Sequence, residues 1–550
     1  MGRVMGRTIV GGLAFAVLGY TAAVAPSAEG SAGWDACLKA PTRACVLDEA
    51  LSVIQSYIAP NRLPPLDPAA VRALRAAPLG TIAEAYANAG DIEAAMRVAG
   101  LIPPDHPALV EALRVIAGAQ ARLGLEKQAK QTFATVDLLA DALTDPLGHA
   151  ETLQAIAQAE AEAGMAGEAD RDSKKALALA AGLEISPGSP CIVVPSPEGR
   201  LEFLLRSLAE QRARAGDVSG SLATARFITY YTNIRTEALV AIAAIRSQSG
   251  HQSEAGAILK EAKEAADSSQ TPPEHWPSCL SIQHLPAATG LYVELLGKIA
   301  KAQARAGLIE DATATLEAAL QFVPTIKDIP TADQTKSMAL SEIALAQHEA
   351  GLASQSAATL ERAAPAAAQV RDPRFPLLAL IKLGRAQARI GHITDAAATF
   401  DKAEALARAL PDAAPRASNL LEIFNAKVEA GLAGETDDTL ARSLEAARSI
   451  AEKSKPILLL CRIAQAQDKQ GHLHDAVATY QEALQAVAAT DPLVTANALF
   501  SALRRAPGSG GDSRNLIAET APQALQIAQS ITDGPRRAEA LVIIAAALPN

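Results

Sequence analysis

Five cysteines and nine histidines are the side chains of this chain best suited to bond-making chemistry, and their spacing points to bracing. Cys37 and Cys45 flank Pro41 in CLKAPTRAC, where a proline-interrupted turn would bring the two sulfurs together. Cys191 and Cys279 sit in the proline-rich stretches SPGSPCIVVPSP and TPPEHWPSCLSIQ, and a bond between them would tie those stretches together. Cys461 lies inside a helical pattern and reads as a small buried apolar residue. Two disulfides and one free thiol are therefore expected, which suits an oxidising compartment. No CxxC pair or zinc-ligand spacing occurs. His251, His392 and His472 each follow a glycine of a repeated pattern, so the repeat places them and no shared site does. His275 and His284, near Trp276, read as polar residues of the second proline-rich stretch. There is no GxSxG, GxxxxGK[ST], HExxH or GxGxxG. The expectation is a protein without catalysis, metal or cofactor.

The elements that carry these residues are set by ten glycines: Gly90, Gly124, Gly164, Gly216, Gly250, Gly307, Gly351, Gly391, Gly431 and Gly471. Eight residues before each stands Ile or Leu, from Ile82 to Ile463, and five after each stands Ala or another small residue. The last four glycines are 40 residues apart. A fixed period of that length predicts stacked helical hairpins, each burying its apolar face against its neighbours. Glycine at the turn suits a left-handed helix terminus, and Asp91 and Asp217 just beyond it are candidate N-caps. The intervals Gly164–Gly216 and Gly250–Gly307 are longer, and the excess maps to the two cysteine-bearing insertions near 183–199 and 268–289.

Composition narrows the class further. Apolar residues make up 49% and aromatics 3%, so Ala and Leu carry the core and little sheet is expected. A net charge of −10 argues against nucleic acid, which needs a basic face and, for single strands, stacking aromatics. Residues 1–32 read as a signal peptide: Arg3 and Arg7 precede the uncharged run Thr8–Ala25, with cleavage expected between Ala25 and Gly33. A periplasmic or secreted protein is expected. The alternative is an inner-membrane anchor, the sole membrane link, through a retained N-terminal segment. Residues 33–66 then form an N-terminal helical cap with the Cys37–Cys45 pair, 67–490 the repeat array, and 491–550 a degenerate repeat ending in a capping helix.

The pattern Ile463-Ala464, Gly471, Ala476, Tyr480, Ala483 resembles the tetratricopeptide repeat, as do Leu383-Gly384, Gly391, Ala396, Phe400, Ala403 and Ile299-Ala300, Gly307, Ala312, Leu316, Ala319. The resemblance implies an all-α fold, a right-handed α-solenoid of about ten to eleven tetratricopeptide-like hairpins. Two features depart from the family: the period is longer, and the aromatic usual four before the glycine is replaced by polar residues everywhere except Tyr86. The resemblance also implies a groove lined by first helices. Six before the glycine, it would present Glu84, Gln158, Glu210, Lys301, Arg385, Asn425 and Gln465, and three before mostly alanine. Phe227, Tyr230 and Tyr231 in FITYYTNIR, with Trp276, are a candidate aromatic anchor in an aromatic-poor chain. The reading is a non-catalytic exported scaffold for protein–protein contacts. The alternative is a carrier or sensor binding a small molecule or glycan near the two insertions.

Overall fold

The computed structural model describes residues 30–57, 68–143, 145–183, 197–229, 231–268, 285–327, 332–368, 376–432, 434, 436–452, 456–488 and 513–548. Residues 1–29 of the expected leader, Cys191, Cys279, Tyr230 and Trp276 lie outside them, and so does the Cys191–Cys279 bond. The fold is all-α, a solenoid of repeated helix–turn–helix pairs, with no strand among the described residues. Helices α1 (Gly30–Lys39) and α2 (Arg43–Ser56) come first. Five pairs follow: α3 (Pro68–Asn88) with α4 (Ile92–Ala99), α5 (Pro107–Arg122) with α6 (Glu126–Ala140), α7 (Pro146–Glu162) with α8 (Ala166–Ala181), α9 (Pro197–Arg214) with α10 (Val218–Arg226), and α11 (Thr232–Gln248) with α12 (Gln252–Ser268). Five more are α13 (Leu285–Arg305) with α14 (Ile309–Phe322), α15 (Ala332–Glu349) with α16 (Ala353–Ala368), α17 (Pro376–Ile390) with α18 (Ile393–Arg408), α19 (Ala413–Glu429) with α20 (Asp437–Arg448), and α21 (Ile457–Lys469) with α22 (Leu473–Ala488). Helices α23 (Ser513–Ser530) and α24 (Gly534–Ala547) close the chain.

One local device makes every pair. The ten turn glycines have φ between 75° and 95°, a region closed to most side chains. A Cβ added at any of them would meet nothing within 4 Å, so the backbone angle demands glycine and crowding does not. The amide after each glycine then reaches back to the carbonyl four before it, as in Asp91 to Tyr86 at 3.0 Å and Leu352 to Gln347 at 2.8 Å. This is the Schellman closure, which satisfies a helix-end carbonyl while turning the chain. Asp91 and Asp217 cap the next helix as expected, accepting from Ala94 N and Gly220 N at 2.9 Å each.

Packing follows from the same register. All ten Ile or Leu residues eight before the glycine are fully buried, at 0–1% exposure. The small residue five after each glycine is buried too, and where it is Ser221 or Ser356 its hydroxyl donates to Ala209 O or Ala344 O. The polar residue four before the glycine is matched eight after it. Gln120, Gln303, Gln347, Gln387 and Gln467 face that register with Thr132, Thr315, Thr359, Thr399 and Thr479, and all ten are buried. In one of these pairs the Thr399 hydroxyl donates to Gln387 Oε1 at 2.7 Å. A compact amide and a threonine thus share this buried position of the repeat.

The helices divide into two compact units: Met1–Thr144, Gln158–Met165 and Leu444–Asn550 form the first, Asp145–Ala157 and Ala166–Ser443 the second. The second contains a buried ionic knot. Lys427 Nζ donates to Glu404 Oε2 and Asp401 Oδ1, both at 3.1 Å, and Glu404 also accepts from Thr439 and Arg442 at 2.8 Å. Burial alone would raise the Glu404 carboxyl; the Thr439 and Lys427 hydrogen bonds and the nearby cations bring it below its ordinary value instead.

In the first unit, segments far apart in sequence meet. Helix α24 packs against α2 and α3, running antiparallel to α2. Arg43 at the start of α2 donates from Nε to Ala545 O at 3.1 Å and from Nη2 to Leu548 O at 2.6 Å, satisfying carbonyls at the end of α24. Arg537 Nη2 donates to Glu49 Oε1 at 2.7 Å, a pair separated by 488 residues of sequence. Gly534 lies under Tyr57, whose ring a Cβ would approach to 2.5 Å. A Cys37–Cys45 disulfide ties α1 to α2, and Cys461, the free thiol among the described cysteines, is buried in α21. Replacing Arg43 by Ala should cost about 1–2 kcal/mol of stability. Limited proteolysis should then cut within 43–56 and within 534–547 at similarly increased rates, because each segment covers the other. Increased cleavage of one segment alone would contradict the joint.

Candidate binding groove

The first helices of successive pairs carry the side chains that face one another across repeats. In the second unit α9, α11 and α13 enclose an open groove of about 580 Å³. Its floor is small because α11 offers Ala241 and Ala244, beside Val240, and α13 offers Ala302 and Leu295. Its walls are charged: Arg206 from α9, Glu237 from α11, and Lys298, Lys301 and Arg305 from α13. Small ligand sites fall in the range of about 300–1,000 Å³, and this half-open groove has a volume within it.

Ion pairs between repeats hold these walls. Glu237 accepts from Arg206 at 2.5 Å and from Lys298 at 2.7 Å, which links α9, α11 and α13 through one carboxylate. Arg206 also donates to Glu210 at 3.0 Å. Burial raises the Glu237 carboxyl, but the hydrogen bond and charge of Lys298, with those of Arg206, bring it below its ordinary value. On the far side Lys301 donates to Glu342 at 2.8 Å and Arg305 to Glu349 at 3.0 Å, both on α15. Farther along the unit Arg385 repeats the scheme with Glu422 and Glu429 of α19 at 2.9 Å each. Two of these cations stand six before a glycine: Arg385 meets the acids nine and two before the next glycine, whereas Lys301 meets the acid nine before it and Arg305, two before its own glycine, meets the acid two before.

Of the residues expected to line a groove, Lys301 lines this one and Glu210 braces its wall through Arg206. Arg385 and Asn425 lie on α17 and α19 of the same unit, half-buried, outside the recess. Glu84, Gln158 and Gln465 belong to the first unit, where Gln158 Nε2 donates to Glu162 at 3.0 Å. Arg206, Glu237, Lys298 and Arg305 escaped the sequence reading; charges matched about one period apart are the signal that marks such residues. Phe227 ends α10 and is 50% exposed, while Tyr231 is half-buried. Their link is pinned from beneath by Glu202, a buried carboxylate that accepts from Thr229 N at 3.0 Å and Tyr231 N at 2.7 Å. No described helix is long and apolar enough to cross a membrane.

Glu84 is the candidate whose protonation matters. Burial and, less strongly, the charge of Glu111 raise its carboxyl to about 7 against the opposing charge of Arg114. The folded state therefore holds this proton more tightly than the unfolded chain between about pH 4.5 and 7. Stability from this group is full below the lower value and is lost as pH rises through the upper one. Glu84→Gln should leave Tm unchanged near pH 4.5 and raise it above pH 7, with the gain growing between the two. A Tm difference that stays flat with pH would contradict this assignment.

No protein-family model matches the chain, and no curated protein matches it. Solved structures similar to it include Ton1535 from Thermococcus onnurineus, at 14% identity and TM-score 0.25, covering 70% of this chain and 98% of that one. Another is a signal-transduction ATPase with numerous domains that bears a tetratricopeptide repeat sensor, from Pyrococcus horikoshii. Its identity is 13% and its TM-score 0.24, over 90% of this chain and 69% of that one. A third is a human IFIT1 dimer with m7Gppp-AAAA, at 14% identity and TM-score 0.21, over 82% and 95%. The fold rests on the chain's own repeated hairpins.

Proposed function

We propose that the chain is a non-catalytic, exported scaffold that engages another protein through the first-helix face of its second unit. The observation that carries this reading is the groove between α9, α11 and α13, recessed over alanines and braced by ion pairs from one repeat to the next. Stacked hairpins characteristically offer extended binding surfaces of this kind, since each repeat adds one helix to a continuous face. Export is supported by the charge and apolarity of residues 1–25 and by the Cys37–Cys45 disulfide, which belongs in an oxidising compartment.

The test is quantitative capture from the native source, comparing the parent chain with Ala244→Arg, which fills the groove floor, and His251→Ala, at an exposed turn. A partner protein retained by the parent and by His251→Ala, and reduced about tenfold by Ala244→Arg, is the expected result. Equal recovery by all three would overturn the reading. The same mass spectra should show native protein beginning between residues 26 and 33, and an intact Met1 would contradict export.

A further inference from the structure

We infer that two copies of this chain exchange α2, each copy seating it on α24 and α3 of the other. The helix pairs differ in one respect. In ten of them a glycine turn joins the first helix to the second. Helices α24 and α2 pack on each other and on α3 as such a pair would, with α24 in the first helix's place and α2 in the second's. No turn joins these two, since one follows the other by almost the whole sequence. Arg43 takes the role that the turn amide has elsewhere, donating to Ala545 O and Leu548 O. It can do so from any copy whose α2 is seated there.

Helix α2 carries a complete docking face. Val46, Leu47, Ala50 and Ile54 are buried, and so are Leu541 and Ile544 of α24. Polar ties flank that face. Glu49 accepts from Arg537 at 2.7 Å, Asp48 accepts from the Tyr86 hydroxyl at 2.5 Å, and Tyr57 O accepts from Arg75 Nε at 3.1 Å. Exchange keeps every one of these contacts, so the closed and exchanged forms differ in the link to α3 and in the cost of association.

The two links decide which helix moves. Helix α24 follows α23 after three residues, Ile531–Asp533, and Asp533 caps it by accepting from Arg536 N at 3.0 Å. That short, capped connection keeps α24 with its own array. Between Tyr57 and α3 the sequence has ten residues, 58–67, among them Pro60, Pro64 and Pro65. Proline holds φ near −65° and favours extended backbone, and ten residues reach up to about 33 Å. A link of this composition resists a tight return and is long enough to carry α2 to a second copy.

Native mass spectrometry of two full-length variants, Glu49→Arg and Arg537→Glu, tests the exchange. Alone, each variant opposes like charges at this joint, whether its α2 stays at home or is exchanged with its own kind. Mixed, they restore opposite charges at both joints of a one-to-one dimer, in the parental order at one and reversed at the other. The mixture should give dimers holding one of each variant, about tenfold more abundant than dimers of like variants. Both substitutions in one chain should restore parental behaviour. Isotope-labelled parent incubated with unlabelled parent should give dimers of intermediate mass, more of them as concentration rises. A mixture that stays monomeric while both variants keep the parent's helical circular dichroism would overturn the inference, and so would dimers that pair the variants at random. If either variant loses that dichroism, the labelled and unlabelled parent decides, and an absence of intermediate-mass dimers overturns the exchange.

Discussion

The hydrogen bond from the amide after each turn glycine to the carbonyl four residues before it sets where every second helix begins. Because that bond needs a left-handed residue between its ends, glycine is required ten times. The Ile or Leu eight before and the small residue five after then meet in every pair. Interior volume is matched at each step by alanine, serine or threonine, so the core can be built with few aromatics. Protein interiors are packed closely enough that such a match must hold at every repeat.

Charge does a different job from the apolar core. Exposed ion pairs contribute about 0–1 kcal/mol each, too little to hold a solenoid together. Their value here is positional: Glu237 fixes Arg206 and Lys298 relative to each other, and Arg385 fixes its own helix against α19. The Glu404–Lys427 knot is the costly kind, since two desolvated charges must be compensated by Thr439 and Arg442. In the first unit, Arg43 and Arg537 join α2 to α24 with groups that either helix alone would leave unsatisfied.

Much of this was legible in the sequence. The glycine spacing announced the helix–turn–helix pairs, Asp91 and Asp217 announced their caps, and CLKAPTRAC announced the bridge of Cys37 with Cys45. The glutamines four before the glycine stand out in the sequence, but nothing local marks their threonine partners twelve residues on as a second column. Positions six before the glycine pick out Ala244 and Lys301 of the groove but not Arg206, Glu237, Lys298 or Arg305. The reason is geometric. A wall is formed by residues from neighbouring repeats at different offsets, and a single-offset list cannot show which charges meet. The joining of α2 to α24 was likewise hidden, because no local pattern links residues 488 positions apart.

The repeat geometry supplies a charged binding face on α9, α11 and α13. Hydrogen–deuterium exchange of the full chain, with and without the protein partner retained in capture, tests it most directly. Slower exchange is expected in the complex in 197–214, 232–248 and 285–305, with the first unit unchanged. A footprint confined to other helices, or none at saturating partner, would contradict it.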